Sequence, residues 1–223
     1  MIQIVDTFIA PPCREKIDIL YRDDDIVLIN KPSGLLSLSG KNPLNQDSVH
    51  YRMTKEFPDI TLAHRLDFGT SGIMLMALNK EINAALTRQF QARRMRKTYI
   101  AILDGLLVED GGIIDFAIAK APELFPRQKI CSLAGKAARS HYRVTERFNE
   151  PARSRVEFSP ETGRTHQLRI HSREIGHPIL GCDLYGSPRT LAMAKRLQLH
   201  AETLEFEHPR SGETITGQSP SPF

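Results

Sequence analysis

Residues 73–78, IMLMAL, are an unbroken apolar run, and the nine residues directly before them read HRLDFGTSG. A run this short with no polar interruption reads as a strand of the core rather than as a surface element. A charged loop must therefore turn into the interior within a few residues. Covering such a strand takes mass, and 223 residues with 40% hydrophobic content can bury a substantial core. One large domain or two small subdomains fit that size. We expect a single domain over residues 1–223, with residues 1–17 as an N-terminal extension.

The other segments decide the fold class. IVLIN, residues 26–30, reads as a short buried strand, and KPSGLLS after it as a Pro/Gly turn. Residues 81–93, EINAALTRQFQAR, carry Ile82, Ala85, Leu86 and Phe90 at helical spacing, with Arg88 and Arg93 off that stripe. TYIAIL, residues 98–103, is β-branched and aromatic, as strands favour. HYRVTERF and RSRVEFSP are expected as two strands about the turn residues FNEPA, and LHAETLEFEHP with GETITGQ as a terminal pair. RTHQLRIHSREIG, residues 164–176, is expected as a helix that stops at Gly176, with Pro178 just beyond. Strands follow strands more often than they alternate with helices. That order predicts an α+β fold with a largely antiparallel or mixed central sheet flanked by helices and loops. No Gly-rich strand-to-helix phosphate loop occurs, in agreement.

The formal charge is only +4, but it is unevenly spread. No acidic residue occurs from Ile82 to Leu103, where Arg88, Arg93, Arg94, Arg96 and Lys97 stand. A second acid-free stretch, Leu124 to Thr145, holds Arg127, Lys129, Lys136, Arg139 and Arg143, and a third, between Glu161 and Glu174, holds Arg164, Arg169 and Arg173. A single basic run is as often a solvated face as a binding face. Three of them point to a polyanion, because each phosphate neutralised releases counterions and adds sequence-independent affinity. Cys13, Cys131 and Cys182 form no CxxC pair and are odd in number, so neither a disulfide framework nor a cysteine zinc site is indicated. The N-terminus shows no basic segment followed by a long apolar one, and no window reaches membrane-spanning length. A soluble, cytoplasmic, thiol-reduced protein is expected.

The nonapeptide itself admits several chemistries. A carboxylate beside an arginine just ahead of a core strand is a charged group at the rim of a rigid scaffold. Asp67 could serve as nucleophile, base or ion-pair anchor, and an Asp in such a loop more often simply holds a turn. Gly69 and Gly72 permit backbone angles that side chains resist, while Thr70 and Ser71 can donate hydrogen bonds to backbone or carboxylate.

HRLDFGTSG matches the HRLDxxTSG signature of the RluA-type pseudouridine synthases at every fixed position. NKPSGLLS, residues 30–37, resembles the family's early Asn-Lys-Pro-x-Gly turn, and RKTYIAILDG, residues 96–105, its Lys-x-Tyr-x-Ala segment. ETGRTHQLRIH, residues 161–171, is similar to its Thr-Gly-Arg-x-His-Gln motif, and GHPILGCDLYG follows at 176–186 as the family's next segment does. The resemblance spans roughly residues 18–216 in the family's order, which one chance nonapeptide would not do.

The resemblance implies the pseudouridine synthase fold with a basic catalytic cleft. It also implies an isomerase that cleaves the N-glycosidic bond of a uridine in RNA, turns the uracil and rejoins it through C5. Asp67 then takes the family's essential catalytic role, by attack on the sugar C1′ or by removal of the C2′ proton. Arg164 is its expected guanidinium partner, which favours the charged carboxylate in a dry cleft. Tyr99 is expected against the target base, and as the candidate for removing the C5 proton. The target base must leave its stack, and Arg65 resembles the family position that fills the vacated space. His64, expected to hydrogen-bond its own loop, and Thr70, Lys97, Arg93, Arg94 and Arg96 complete the expected substrate-binding set. The chain resembles the family's compact members, which lack an S4-like RNA-binding segment. Their substrates are hairpin loops of 23S rRNA and a tRNA anticodon stem-loop. His141, in Ser-His-Tyr, stands where relatives more often carry a small or polar residue.

Neither metal nor cofactor is expected. His166 and His171 are five positions apart, about 140° around a helix and on opposite faces of a strand. An isomerisation within one nucleotide needs no redox or nucleotide cofactor. RNA is the expected partner, with no DNA and no membrane, for a monomer. Two other classes compete. A hydrolytic RNA glycosidase would want a second carboxylate as acid, and a non-catalytic RNA-binding domain would not need Asp67, Tyr99 and Arg164 together.

Overall fold

The computed structural model describes residues 8–223. Strands β1 (Asp18–Arg22), β2 (Ile26–Lys31), β3 (Thr61–Leu62) and β4 (Ser71–Ala77) come first, with helix α1 (Val49–Met53) between β2 and β3. Helix α2 (Lys80–Gln91) follows, then β5 (Arg96–Asp104), β6 (Gly111–Asp115), β7 (Ile118–Lys120), β8 (Gln128–Ile130), β9 (Arg139–Asn149) and β10 (Ala152–Pro160). Helices α3 (Gln167–Glu174) and α4 (Pro188–Ala192) precede the last strands, β11 (Leu199–Glu207) and β12 (Thr214–Gln218). The expected α+β class is what the chain adopts. The described residues cluster into two compact units, the chain through Arg96 with Ala201–Pro222, and Lys97–His200 with Phe223.

In the first unit β4 is the apolar run IMLMA extended back by Ser71 and Gly72, and every residue of it is buried. It pairs antiparallel with β2, Ile26 opposite Ala77 and Lys31 opposite Gly72, while β1 lies outside β2. Beyond β4 the sheet continues to β11, which pairs antiparallel with β12 as the sequence led us to expect. Gly72 has φ of +112°, and a Cβ there would stand 2.2 Å from the Ala201 carbonyl oxygen, so only glycine lets these two chains approach. Helix α2 is capped by the Asn79 side chain, which accepts from the Ile82 N–H at 2.9 Å, and it buries Ile82 and Leu86. Residues before β1 are tied in as well, since the Asn45 side chain accepts from the Ala10 N–H and donates to the Phe8 carbonyl, at 2.8 and 2.7 Å.

The second unit is an antiparallel sheet in the order β5, β10, β9, β6, with a small separate hairpin of β7 and β8. In β10 the buried Ser154, Val156 and Phe158 alternate with less buried Arg153, Arg155 and Glu157, the period-two pattern of a strand with one face in the core. Phe158 stands opposite Tyr99 on one side and Tyr142 on the other. Helix α3 covers that core with Leu168 and Ile170. It starts at Gln167, three residues later than the sequence pattern indicates, because His166 takes a left-handed backbone with φ of 58° and ends the preceding loop. Its stop is as expected, with Gly176 at φ of +84°.

Candidate active site

In the first unit the turn after β2 and the loop before β4 form one structure. The Lys31 side chain is fully buried, and its ammonium donates to the carbonyls of Pro32, at 2.8 Å, and Phe68, at 3.2 Å. The Gly34 N–H donates to the same Phe68 carbonyl at 2.9 Å, and the Ser33 hydroxyl to the Gly69 carbonyl at 2.7 Å. Further along, Ser37 Oγ donates to the Leu66 carbonyl at 2.7 Å and accepts its N–H at 3.2 Å. These bonds satisfy the backbone on both sides of the half-buried Asp67 and fix the loop that carries it. The Thr70 N–H closes the turn on the Asp67 carbonyl at 3.1 Å. Phe8 packs edge-on against Phe68, with centroids 5.3 Å apart.

The other residues of the motif divide by exposure. His64 Nε2 accepts from the Leu75 N–H at 3.0 Å and its ring lies 4.8 Å from that of Phe90. The imidazole thus continues along β4 where the short β3 stops, and joins the loop to the core strand, whereas the sequence places its expected hydrogen bond within the loop. Thr70, expected among the substrate contacts, is 2% exposed, and its amide shapes the turn. Gly69 has no left-handed φ, and its carbonyl is what the loop uses. Arg65 is exposed, at an open groove of about 430 Å³ that Leu38, His50 and Leu62 also line. Arg93, Arg94 and Arg96 are exposed at the end of α2, flanking the buried Met95. Arg93 has φ of 56°, and the Arg94 N–H reaches the Gln89 carbonyl at 3.0 Å to close the helix.

In the second unit the Thr-Gly-Arg loop is organised by Gln167. Its Oε1 accepts from Thr162 Oγ1 at 2.7 Å and from the Arg164 N–H at 2.9 Å. Its Nε2 donates to the Arg139 carbonyl at 3.0 Å and to Ser140 Oγ at 2.9 Å. Ser140 Oγ then meets His171 Nδ1 at 3.1 Å, and His171 Nε2 meets the Phe116 carbonyl at 3.1 Å. Since Ser140 already accepts from Gln167, its proton is directed at Nδ1, so Nε2–H donates to Phe116. Burial pushes the His171 imidazole below its ordinary pKa, against the opposing pull of the Phe116 carbonyl and Asp115. Arg164 Nε donates to the Ala137 carbonyl at 3.0 Å. Lys97 lies along this loop, since a Cβ on Gly163 would stand 3.7 Å from its Nζ, and burial pushes its ammonium pKa down. Tyr99 is half-buried on β5 and packs on the core of this unit.

Asp67 with Arg65, His64, Thr70, Arg93, Arg94 and Arg96 therefore belongs to one unit, and Tyr99, Lys97 and Arg164 to the other. Among the described residues no three His, Cys, Asp or Glu side chains are grouped as a metal site. His166 and His171 are bonded to Tyr185, Ser140 and Phe116 instead. Cys13, Cys131 and Cys182 are all free thiols. Among the described residues no helix is long and apolar enough to cross a membrane.

The family described as RNA pseudouridylate synthase matches residues 25–174, which contain both loops. The chain belongs to the RNA pseudouridylate synthase family. The dual-specificity RNA pseudouridine synthase RluA of Yersinia pestis is 46% identical over 194 residues, 87% of this chain and 94% of that one. Its counterpart in Escherichia coli K12 is 42% identical over 213 residues, 96% and 97% of the two chains. The solved structure of human RNA Pseudouridylate Synthase Domain Containing 1 superposes with a TM-score of 0.79 at 30% identity, covering 96% of this chain and 86% of that one. As a member of the pseudouridylate synthases the chain is an isomerase that acts on uridine in RNA. Sequence reasoning missed Lys31, Ser33 and Ser37 as supports of Asp67, and Gln167, Ser140 and His171 as supports of Arg164. The signal was present in the quoted motifs NKPSGLLS and TGRTHQLRIH, whose polar positions had no assigned partners.

Proposed function

We propose that this chain is a dual-specificity synthase for hairpin loops, acting on 23S rRNA and a tRNA anticodon stem-loop. The chain then acts as a single catalytic domain with a basic cleft. The reading is carried by the cradle of Lys31, Ser33 and Ser37, which presents Asp67 on a fixed backbone, and by the near full-length similarity to synthases that bear the dual-specificity name. A uridine flips out of its loop, and Arg65 occupies the space it leaves. Asp67, with Arg164 as its partner, acts at the sugar while the N1–C1′ bond breaks. The uracil turns against Tyr99, the C5–C1′ bond forms, the C5 proton leaves and N1 gains one, so the product is an isomer of the substrate. Lys97 and the Arg93, Arg94 and Arg96 turn bind phosphate, with a salt-sensitive, sequence-independent contribution. His64 and Thr70 act through the loop backbone. The enzyme works as a monomer in the cytoplasm, without metal or cofactor and without affinity for DNA as substrate.

Hairpins tritiated at uracil C5 and incubated with wild-type protein and Asp67→Asn test this. The wild type is expected to release tritium and form pseudouridine, and Asp67→Asn to be slower by about a thousandfold or more. Free uracil as the product would instead identify a glycosidase. Tight binding with no product from either RNA class would leave only the binding function.

A further inference from the structure

Two connections join the Arg164 loop to the basic hairpin of β7 and β8, and one runs through a side chain that the mechanism above does not use. Tyr185 is 5% exposed and sits in the core of the second unit. Its hydroxyl lies 2.8 Å from His166 Nδ1 and accepts the Gln128 N–H at 2.8 Å, and Gln128 opens β8. That amide donates to the oxygen, which leaves the hydroxyl's one proton to give, and Nδ1 as the imidazole's acceptor is the tautomer that takes it. The ring is fixed by burial and by the Arg169 guanidinium, 5.4 Å from its centroid. The second connection runs from Arg164 Nε to the Ala137 carbonyl, next to Lys136, whose backbone pairs with Ile118 of β7.

His166 is one of two non-glycine residues with positive φ among those described, and it stands at the turn between Arg164 and α3. A left-handed backbone at a residue other than glycine persists only when its surroundings over-determine it. Gln167 holds one side of the turn through the Arg164 N–H, and Tyr185 holds the other through the His166 ring. We propose that Tyr185 is a positioning residue for the isomerisation: its hydroxyl, shared between His166 and the Gln128 amide, locks the left-handed turn that aims Arg164 and ties it to the basic hairpin. RNA seated on Lys129 of that hairpin and on Lys136, whose backbone pairs with Ile118 of β7, then bears on the same hydrogen bonds that orient Arg164. The inference rests on the reading of Arg164 as the partner of Asp67.

The test is single-turnover pseudouridine formation at saturating enzyme, with filter binding of the same hairpin and a melting curve for each variant. Tyr185→Phe and His166→Ala are expected to be about tenfold slower with the dissociation constant within about twofold. His166→Asn is expected near the wild-type rate, because its Oδ1 stands where Nδ1 does and Asn tolerates the left-handed region. A wild-type rate for Tyr185→Phe, a loss that appears in binding rather than in rate, or His166→Asn as slow as His166→Ala would each overturn the proposal. If Tyr185→Phe does not fold, the two His166 variants decide it alone. Asp67→Asn runs in parallel, and only its retention of product would count against the underlying reading.

Discussion

The loop of Asp67 is held by a turn some thirty positions before it, and the loop of Arg164 is organised by a side chain of the helix that it begins. In the first unit Lys31, Ser33 and Ser37, about thirty positions earlier, donate to carbonyls on both sides of the aspartate. In the second, Gln167 comes from the helix that the loop itself begins, and β9 adds Ser140, the Arg139 carbonyl and the Arg139 N–H, which donates to Thr162 Oγ1 at 3.0 Å. The first arrangement sets a buried side-chain ammonium against backbone carbonyls. The second is a relay of amide, hydroxyl and imidazole in which each member fixes the orientation of the next. The Asp67 loop should therefore fail all at once when its cation is lost. The Arg164 loop should loosen by degrees with pH.

The largest expected effect tests the cradle. Lys31→Met keeps much of the side chain's bulk but strands the buried Pro32 carbonyl and leaves the Phe68 carbonyl with the Gly34 N–H alone, at a cost of about 2 kcal/mol. Urea unfolding is the measurement, with activity on the same preparation. A midpoint equal to that of the wild type would mean that the ammonium does not hold the loop.

Protonation tests the relay. The native state keeps the His171 imidazole neutral, with its pKa lowered by burial, whereas an unfolded histidine takes up its proton near pH 6.5. Below that pH the unfolded chain binds more protons than the native one, so the stabilisation present above pH 6.5 is lost as the pH falls toward the folded value. The slope for one such group reaches about 1.4 kcal/mol per pH unit. His171→Asn, which keeps an acceptor facing Ser140, should give a flatter stability profile between pH 7 and 5 than the wild type. Parallel profiles would remove His171 from the pH response and leave the two loops alike in it.

Much of this architecture was legible because its signals are local. The β4 run, the Gly176 helix stop and the strand RSRVEFSP each depend on residues within one element, and each stands where the pattern put it. What was not legible depends on residues far apart in sequence. Lys31 looks like the charged end of a buried strand until Phe68 is known to lie above it. Gln167 looks like an ordinary helix residue until Thr162 and Ser140 converge on its amide. The start of α3 was misread because the periodicity of RTHQLRIH does not register that His166 turns left-handed. The division into two units has no composition shift to announce it, since the chain leaves the first unit at Arg96 and returns at Ala201 within strands.

The smallest effect concerns the other left-handed residue. Arg93 and His166 share the backbone region but differ in company: the imidazole is pinned by Tyr185, and the Arg93 side chain is exposed. At Arg93 the conformation is the one that ends α2, where glycine is the usual residue. Arg93→Gly relieves the backbone but gives the unfolded chain more freedom, so stability should rise by less than about 1 kcal/mol. If the guanidinium meets a phosphate, affinity for the hairpin should fall modestly, and the slope of log affinity against log salt should flatten by about one unit. An unchanged salt slope with raised stability would show an arginine that serves neither RNA nor fold. A flatter slope would show that here, as at His166, a strained backbone persists because of what its side chain does.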